Sequence, residues 1–385
     1  MKGMDPRENP FAPGAGCYPP ALVGRDKVLE EADVLLARVV KGLPAKGLLM
    51  HGLRGVGKTV LLLRMATMAK QYGYQVVNYE SIDGASVLPY MTQALRRVLL
   101  EMGTMSKVKH ALKVLSSFVK TLKIGGVELD IDTAMGYADS GNPEQDCIDV
   151  FVAVGEAAKE NGTGVALMVD EIHMLNRRDF GILIMVMHKV QQLNLPIVII
   201  AAGLPTLMRL AGDAKTYAER LFSMHGIGHL SKAEVKTAIA APLKEKGVDI
   251  DRDTLQYIQA NTLGYPYFVQ EWGYRLWNVA QGPIICRSDA LVAAAEVQDY
   301  LDKAFYRFRY ERLTAKEKVF MRGIAASKNE QISMTQLANT LKARVSSLST
   351  IRERLIMKGM IYSPKRGFIA YTVPMFGAFL RRIKD

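Results

Sequence analysis

The sequence predicts an α/β fold built on a parallel sheet, and three observations support this prediction. A glycine-rich loop, Gly52 to Thr59, joins the apolar "GLLMH" to the helical pattern "KTVLLLRMATMAKQYG". A second apolar run, Val165 to Val169, ends in two carboxylates, and "LPIVIIAAGLP" (195–205) is a third such run. Strands that are apolar throughout and alternate with helices are typical of parallel sheets covered on both faces.

The glycine-rich loop fits the phosphate-binding pattern G-x-x-x-x-G-K-[ST], known as Walker A. Its glycines allow successive backbone N–H groups to face phosphates, Lys58 reaches the β- and γ-phosphates, and the hydroxyl of Thr59 ligates Mg²⁺. The N-terminus of the following helix adds positive potential. The sequence therefore predicts a site for a nucleoside triphosphate with Mg²⁺. Its candidate residues are Gly52, Gly55, Gly57, Lys58, Thr59 and Val60.

The second apolar run supplies the carboxylates that such a site requires. Asp170 and Glu171 follow the predicted strand directly, in the Walker B arrangement. We expect Asp170 to hold Mg²⁺ through water, together with Thr59, and Glu171 to polarise the attacking water as the catalytic residue. The letters "DEIH" also match the DExH box of superfamily 2 helicases, but the sequence lacks the other helicase signatures, so His173 is interpreted as unrelated. It also lacks an N-K-x-D motif for guanine, and ATP is the predicted nucleotide.

Composition and charge limit the number of domains, the cellular location and the class of partner that we expect. At 385 residues and 49% hydrophobic content, the chain is long enough for two or three domains. We find no N-terminal signal pattern and no apolar run of bilayer length, and three widely spaced cysteines indicate reduced thiols, so we expect a cytoplasmic protein without a membrane partner. The net charge is +12, and residues 311–385 hold 15 Lys and Arg against 5 Asp and Glu, a net of +10. This asymmetry indicates a polyanion as the partner of the C-terminal segment.

The C-terminal segment has the pattern of three helices and a basic hairpin, which is the order of a winged helix. The helical patterns are "TAKEKVFMRGIAA" (314–326), "SMTQLANTLK" (333–342) and "RVSSLSTIRERLIMKGM" (344–360), and "IYSPKRGFIAYTV" predicts a strand, a turn and a strand. In this arrangement the third helix enters the major groove of duplex DNA and the hairpin tip approaches phosphates. Winged helices also dock proteins, and that alternative stays open. The candidate DNA contacts are Arg344, Arg352, Arg354, Lys365 and Arg366.

Taken together, the motifs resemble those of AAA+ ATPases of the initiator branch, including origin-recognition and Cdc-six-like proteins and the related STAND-type ATPases. The phosphate loop and the Asp-Glu pair are joined by "AAGLP", "AERLF" (218–222) and "GYP" (264–266), and "PALVGRDKVLEEADVLLARV" (20–39) is similar to the family's N-terminal segment. The resemblance covers nearly the whole chain. It implies a P-loop NTPase core of the AAA+ type at 1–230, a helical lid at 231–304 and a winged-helix domain at 305–385.

The resemblance also assigns three residues. Arg220 matches the arginine finger that reaches the nucleotide of a neighbouring subunit, which implies a homo-oligomer or a partner ATPase. An arginine that merely closes a helix is the alternative. Gly264 and Pro266 match the lid motif that packs beside the adenine.

Two positions depart from the family pattern. The chain has Gly203 where the family often carries a polar sensor residue, with Thr206 nearby as a substitute. It has Tyr267 where an arginine commonly follows the lid proline. These departures imply that hydrolysis is slow or depends on a partner.

Residues 104–140 form an insertion before the Asp-Glu pair. Within it, "TLKIGGVELDI" alternates apolar and polar residues around Gly125-Gly126, and it predicts a hairpin that pairs Leu122 with Leu129. The preceding "SKVKHALKVLSSFVKTLK" is basic and amphipathic. It fits either a helix laid on the core or a contact with DNA or a protein partner.

The sequence supports two functional hypotheses. The first is an ATP-hydrolysing switch that couples its nucleotide state to DNA binding, in replication, recombination, transposition or defence against mobile DNA. The second is a STAND-like signalling ATPase whose winged helix docks a protein. The basic C-terminal segment favours the first.

Overall fold

The computed structural model of the chain describes residues 4–14, 16–123, 132–214, 218–327, 329 and 331–383. Residue contacts divide the chain into two compact units. The sheet unit comprises Asp26–His51 and Lys58–Gly226, and the helical unit comprises Met1–Arg25, Gly52–Gly57 and Ile227–Asp385. Within the part of the chain that the structure describes, no helix is long and apolar enough to cross a membrane.

A five-stranded parallel sheet forms the centre of the sheet unit, which confirms the predicted fold class. Its order is β2-β3-β4-β1-β5, so the strand before the glycine-rich loop lies between β4 and β5. Both β3 and β4 are buried along nearly their whole length, as their uninterrupted apolar sequences predict. The strands are β1 (Gly47–His51), β2 (Tyr74–Glu80), β3 (Gly164–Asp170), β4 (Ile197–Gly203) and β5 (Phe222–Gly226).

Helices surround this sheet. They are α1 (Asp26–Val40), α2 (Lys58–Gln71), α3 (Leu88–Glu101), α4 (Ser106–Leu122), α5 (Pro143–Glu160), α6 (Arg177–Gln192), α7 (Leu207–Ala214) and α8 (Ala218–Leu221). The basic amphipathic stretch of the insertion is α4, and it packs against α5 with Val108, Leu115 and Phe118 buried in the core. A structural role for this helix therefore accounts for its apolar face.

The predicted hairpin of the insertion is wrong at its first strand. Helix α4 continues through Leu122, and Lys123 caps it in a left-handed conformation, with φ +50° and its N–H bonded to the carbonyl of Val119. Leu122 is therefore helical and not part of a strand, because the helical pattern that precedes it continues for two residues into the segment assigned to the hairpin. The remainder of the predicted hairpin, residues 124–131, lies outside the described residues.

The first part of the helical unit includes residues 231–304, for which the sequence predicts a lid, and it consists mainly of helices. Helix α11 begins at Pro266, directly after Gly-Tyr, as a proline at the first turn of a helix predicts. Its elements are a 3₁₀ turn (Pro6–Glu8), α9 (Lys232–Glu245), β6 (Asp249–Ile250), α10 (Arg252–Thr262), α11 (Pro266–Val279), β7 (Ile284–Ile285), α12 (Arg287–Tyr300), a π-helical turn (Leu301–Arg307) and α13 (Phe308–Glu311).

The C-terminal part of this unit contains the three predicted helices and the predicted hairpin. Thr314 caps α14 and Ser333 caps α15, each with its hydroxyl oxygen accepting a backbone N–H. A short strand that the sequence did not reveal, β8, pairs with β10 and extends the hairpin to three strands. The elements are α14 (Ala315–Ala326), β8 (Gln331–Ser333), α15 (Met334–Thr340), α16 (Val345–Met357), β9 (Ile361–Tyr362), β10 (Phe368–Tyr371) and α17 (Phe376–Arg382).

Candidate nucleotide site and basic C-terminal face

In the sheet unit, the start of α2 meets the end of β3. The hydroxyl Oγ1 of Thr59 donates to Oδ2 of Asp170 over 2.6 Å. The side chain of Lys58, the first residue of α2, is buried, with 7% of its surface exposed. The two residues predicted to hold Mg²⁺ are thus in direct contact, although 111 residues separate them in sequence.

Glu171 follows Asp170 in an unusual backbone conformation. Its φ of +48° and ψ of +34° lie in the left-handed region, and its N–H donates to Oδ1 of Asp170 over 2.8 Å. Its side chain is 25% exposed, and Oε2 lies 3.3 Å from Nδ1 of His173. The ring of His173, which the sequence analysis set aside together with the helicase motif, is therefore a direct neighbour of the candidate catalytic carboxylate.

In the helical unit, residues 52–57 of the glycine-rich loop are held by their own neighbours. The guanidinium of Arg25 donates to the carbonyl oxygens of Val56, over 3.2 Å, and Gly228, over 2.7 Å. Burial lowers the pKa of this guanidinium from its ordinary value. The N–H of Tyr267 donates to the carbonyl of Gly55 over 3.3 Å. Arg25 is a residue that the sequence analysis missed, although it lies in the "VGRD" segment that carries part of the resemblance.

At two positions of this unit, a side chain larger than that of glycine would clash with neighbouring atoms. Gly55 has φ +80°, and a Cβ there would lie 2.9 Å from the buried hydroxyl of Tyr265. Gly264 has φ +70°, and a Cβ there would lie 2.0 Å from the carbonyl oxygen of Leu230, whose N–H donates to the carbonyl of Gly264 over 2.7 Å. The "GYP" motif therefore joins α10 to α11 through a turn that only glycine permits.

Comparison with known proteins decides the family of the first part of the chain. Residues 21–200 match the AAA ATPase domain family. The matched segment contains the glycine-rich loop, Thr59, Asp170 and Glu171. Residues 21–200 are an AAA ATPase domain. Residues 303–380 match a domain of unknown function (DUF8462). No curated protein matches the chain.

Three solved structures are similar to this chain. Cdc6p from Pyrobaculum aerophilum is similar with a TM-score of 0.50 and 15% identity, over 96% of both chains. Aeropyrum pernix Orc1 in complex with DNA has a TM-score of 0.46 and 14% identity, over 95% of this chain and 93% of that chain. The Thermotoga maritima RuvB Holliday junction branch migration motor has a TM-score of 0.43 and 16% identity, over 94% and 96%. At these identities the likeness to Cdc6p concerns the fold, a P-loop sheet core of the AAA+ type.

Arg220 lies downstream of the matched AAA ATPase segment, on the four-residue helix α8. Its side chain is exposed. An arginine finger and a helix-closing arginine are both compatible with this position, so its role stays a prediction.

Four of the five candidate DNA contacts are exposed in the C-terminal segment. Arg354 and the hairpin residues Lys365 and Arg366 are exposed, and Arg344 is exposed at the N-cap of α16. Arg352 differs, because it is half-buried and its Nη2 donates to the hydroxyl of Ser363 over 3.2 Å. We name the exposed set, completed by Ser346, Ser347, Ser349 and Thr350 of α16, the basic C-terminal face.

Proposed function

We propose that this protein is an ATP-hydrolysing AAA+ switch whose nucleotide state controls binding of duplex DNA by its C-terminal segment. The observation that carries the ATP part is the 2.6 Å contact between the hydroxyl of Thr59 and the carboxylate of Asp170. Hydroxyl and carboxylate oxygens are the ligands that Mg²⁺ prefers, and the ion keeps several waters beside them. The pair therefore fits the metal of Mg-ATP.

Each residue of the motif has a proposed role. The glycine-rich loop and Lys58 bind the phosphates, Thr59 and Asp170 hold Mg²⁺, and Glu171 orients and polarises the attacking water. Gly264 and Pro266 are proposed to lie beside the adenine, as the family resemblance implies. Since Gly203 and Tyr267 replace polar family residues, we propose slow or partner-stimulated hydrolysis.

The C-terminal element order supports a winged helix. A helix, a strand, two helices and two further strands follow one another from α14 to β10. The basic C-terminal face carries exposed Arg and Lys side chains together with Ser and Thr hydroxyl groups, which are the side chains that commonly bind DNA phosphates. We propose that this face binds duplex DNA, with domain boundaries at 230 and 304, and that the protein acts in the cytoplasm on DNA during replication, recombination, transposition or defence.

Two variants test the ATP assignment. Lys58→Ala is expected to lose Mg-ATP binding, because the ammonium group pairs with the phosphates. Glu171→Gln is expected to bind ATP normally and to lose hydrolysis at least a hundredfold, because Glu171 acts on water. Binding is measured with a fluorescent ATP analogue and competition by ATP, and hydrolysis by phosphate release.

Lys70→Ala provides a matched control, since it removes a lysine from the other end of α2. It is expected to bind and hydrolyse ATP like the unmodified protein. Equal loss of ATP affinity in Glu171→Gln and Lys58→Ala would contradict the division of roles.

A further inference from the structure

The imidazole of His173 lies between the candidate catalytic carboxylate and the end of the neighbouring strand β4. Its Nδ1 lies 3.3 Å from Oε2 of Glu171 and 3.2 Å from the backbone nitrogen of Leu204. The side chain is 7% exposed, so the ring is fixed by its surroundings and not by solvent. All of these groups belong to the sheet unit.

Gly203 provides the room for this ring. A Cβ at position 203 would lie 3.3 Å from Nδ1 of His173 and 3.3 Å from Cγ2 of Ile172. Such contacts are tighter than side chains normally make. The imidazole therefore occupies its position because residue 203, at the end of β4, has no side chain.

The chemistry of Nδ1 makes the arrangement more than a packing contact. An imidazole nitrogen either carries a proton and donates, or lacks one and accepts. When Nδ1 carries the proton, it can donate to the carboxylate of Glu171. When it does not, it accepts the N–H of Leu204, as the observed geometry allows. The same atom therefore links the orientation of Glu171 to the position of the residue that follows β4.

We propose that His173 is a positioning residue for Glu171, and that its Nδ1 takes the place of a polar side chain at position 203. When Nδ1 carries the proton, the ring orients the carboxylate for its action on water, and this donation replaces the bond from the N–H of Leu204, so Glu171 and the end of β4 compete for one ring nitrogen. This proposal rests on the proposed ATPase function, because it assigns the support of the residue that acts in hydrolysis. It differs from that function in its predictions, which concern the rate of hydrolysis and the atom of the ring that matters.

Two substitutions of His173 separate positioning from packing. Asn places its amide near the position of Nδ1, whereas Gln places its amide near that of Nε2. His173→Gln and His173→Ala are expected to lower kcat by roughly 10- to 100-fold, a range typical of misplaced catalytic groups. The Kd for ATP is expected to stay within about twofold, since Glu171 acts on water and not on the phosphates. His173→Asn is expected to restore most of the lost kcat.

The role of Gly203 is tested by a double-mutant cycle. Gly203→Ala is expected to lower kcat because its methyl group displaces the ring. In the His173→Ala background the same substitution is expected to have little further effect, since the ring that it would displace is gone. Full additivity of the two losses would overturn the proposal, as would equal kcat values for His173→Asn and His173→Gln.

A spectroscopic measurement tests the contact without any need for hydrolysis. In the full-length protein labelled with ¹⁵N-histidine, the Nδ1 resonance of His173 is expected to shift in Glu171→Gln and in Gly203→Ala. The surface variant Glu101→Gln, which makes the same chemical change on α3, is the control and is expected to leave it unchanged. If the unmodified protein hydrolyses no ATP, the proposed activity fails while this resonance still decides the contact. An unshifted resonance in Glu171→Gln would overturn the role of His173 even in an active ATPase.

Discussion

Glu171 combines a candidate catalytic side chain with a backbone conformation that side chains disfavour. Its φ of +48° lies in the left-handed region, which costs an L-residue roughly 1–2 kcal/mol relative to the right-handed one. Strained residues of this kind persist only where their surroundings hold them, and they cluster at functional sites. The bond from its N–H to Asp170 and the contact of its carboxylate with His173 are two such restraints.

This conformation predicts an inverted glycine effect on stability. We expect Glu171→Gly to be more stable than Glu171→Ala by about 1 kcal/mol, because glycine adopts positive φ without a Cβ clash. At Glu156, in the middle of α5, the order is expected to reverse, with glycine about 1 kcal/mol less stable than alanine. Urea denaturation of the four variants gives the free energies of unfolding. The same order at both positions would contradict the strain at Glu171.

The sequence identified the residues that bear motif chemistry and missed those that support them. Thr59 and Asp170 were predictable because their patterns require specific residue types at fixed spacing, and the structure places them in contact. Arg25 contacts the backbone carbonyl of Val56, and the ring of His173 contacts the backbone nitrogen of Leu204 beside the carboxylate of Glu171, each across 31 residues of sequence. No local pattern encodes such a contact, since it depends on which strands and loops the fold brings together.

At the level of elements, long apolar runs were predicted well and short elements were not. The sequences of β3 and β4 clearly predict buried strands, because a short apolar run of six or seven residues between turns is typical of a strand covered on both faces. The three-residue strand β8 carries too few residues for any periodicity. The hairpin at 121–131 was mispredicted at its start because two periods compete there, and the longer helical pattern of α4 prevails through Leu122.

The burial of α4 predicts that the insertion contributes to the stability of the sheet unit. Leu115 is fully buried in the core of the sheet unit, so Leu115→Ala is expected to lower the free energy of unfolding by about 2–5 kcal/mol. Lys109, exposed on the same helix, is the control, and Lys109→Ala is expected to change it by less than about 0.5 kcal/mol. Both values come from urea denaturation of the full-length protein. A small effect of Leu115→Ala would show that α4 is a peripheral addition to the core.

At the scale of the whole molecule, the role of Arg220 depends on assembly. If this exposed arginine acts on the nucleotide of a neighbouring subunit, ATPase activity per subunit is expected to rise with protein concentration. Arg220→Ala and Lys58→Ala are each expected to be inactive alone. Their mixture is expected to recover part of the activity, because some interfaces then combine an intact phosphate site with an intact finger. Arg178, an exposed arginine on α6, provides the control: Arg178→Ala is expected to hydrolyse ATP like the unmodified protein. Activity per subunit that stays constant on dilution to the monomer, with no recovery on mixing, would remove the role in trans.

The charge distribution of the whole chain leads to the final prediction, that ATP controls DNA binding by the basic C-terminal face. Ten of the twelve net positive charges lie after residue 310, while the ATP motif lies in the first half of the chain. Binding through phosphates makes the logarithm of affinity fall with the logarithm of salt concentration, with a slope near −0.9 per phosphate neutralised. Lys365→Ala with Arg366→Ala is expected to flatten this slope by roughly one to two units. The control, Lys109→Ala with Lys113→Ala, removes the same charge from the exposed side of α4 and is expected to leave the slope unchanged.

Lys58→Ala is expected to keep DNA binding in the absence of nucleotide and to lose its response to ATP, because a ligand shifts an equilibrium only through its different affinities for the two states. Fluorescence anisotropy of a labelled duplex with the full-length proteins, at several salt concentrations with and without Mg-ATP, measures each quantity. Equal flattening by both double variants would indicate a response to net charge alone, and no binding at low salt would redirect the C-terminal segment to a protein partner.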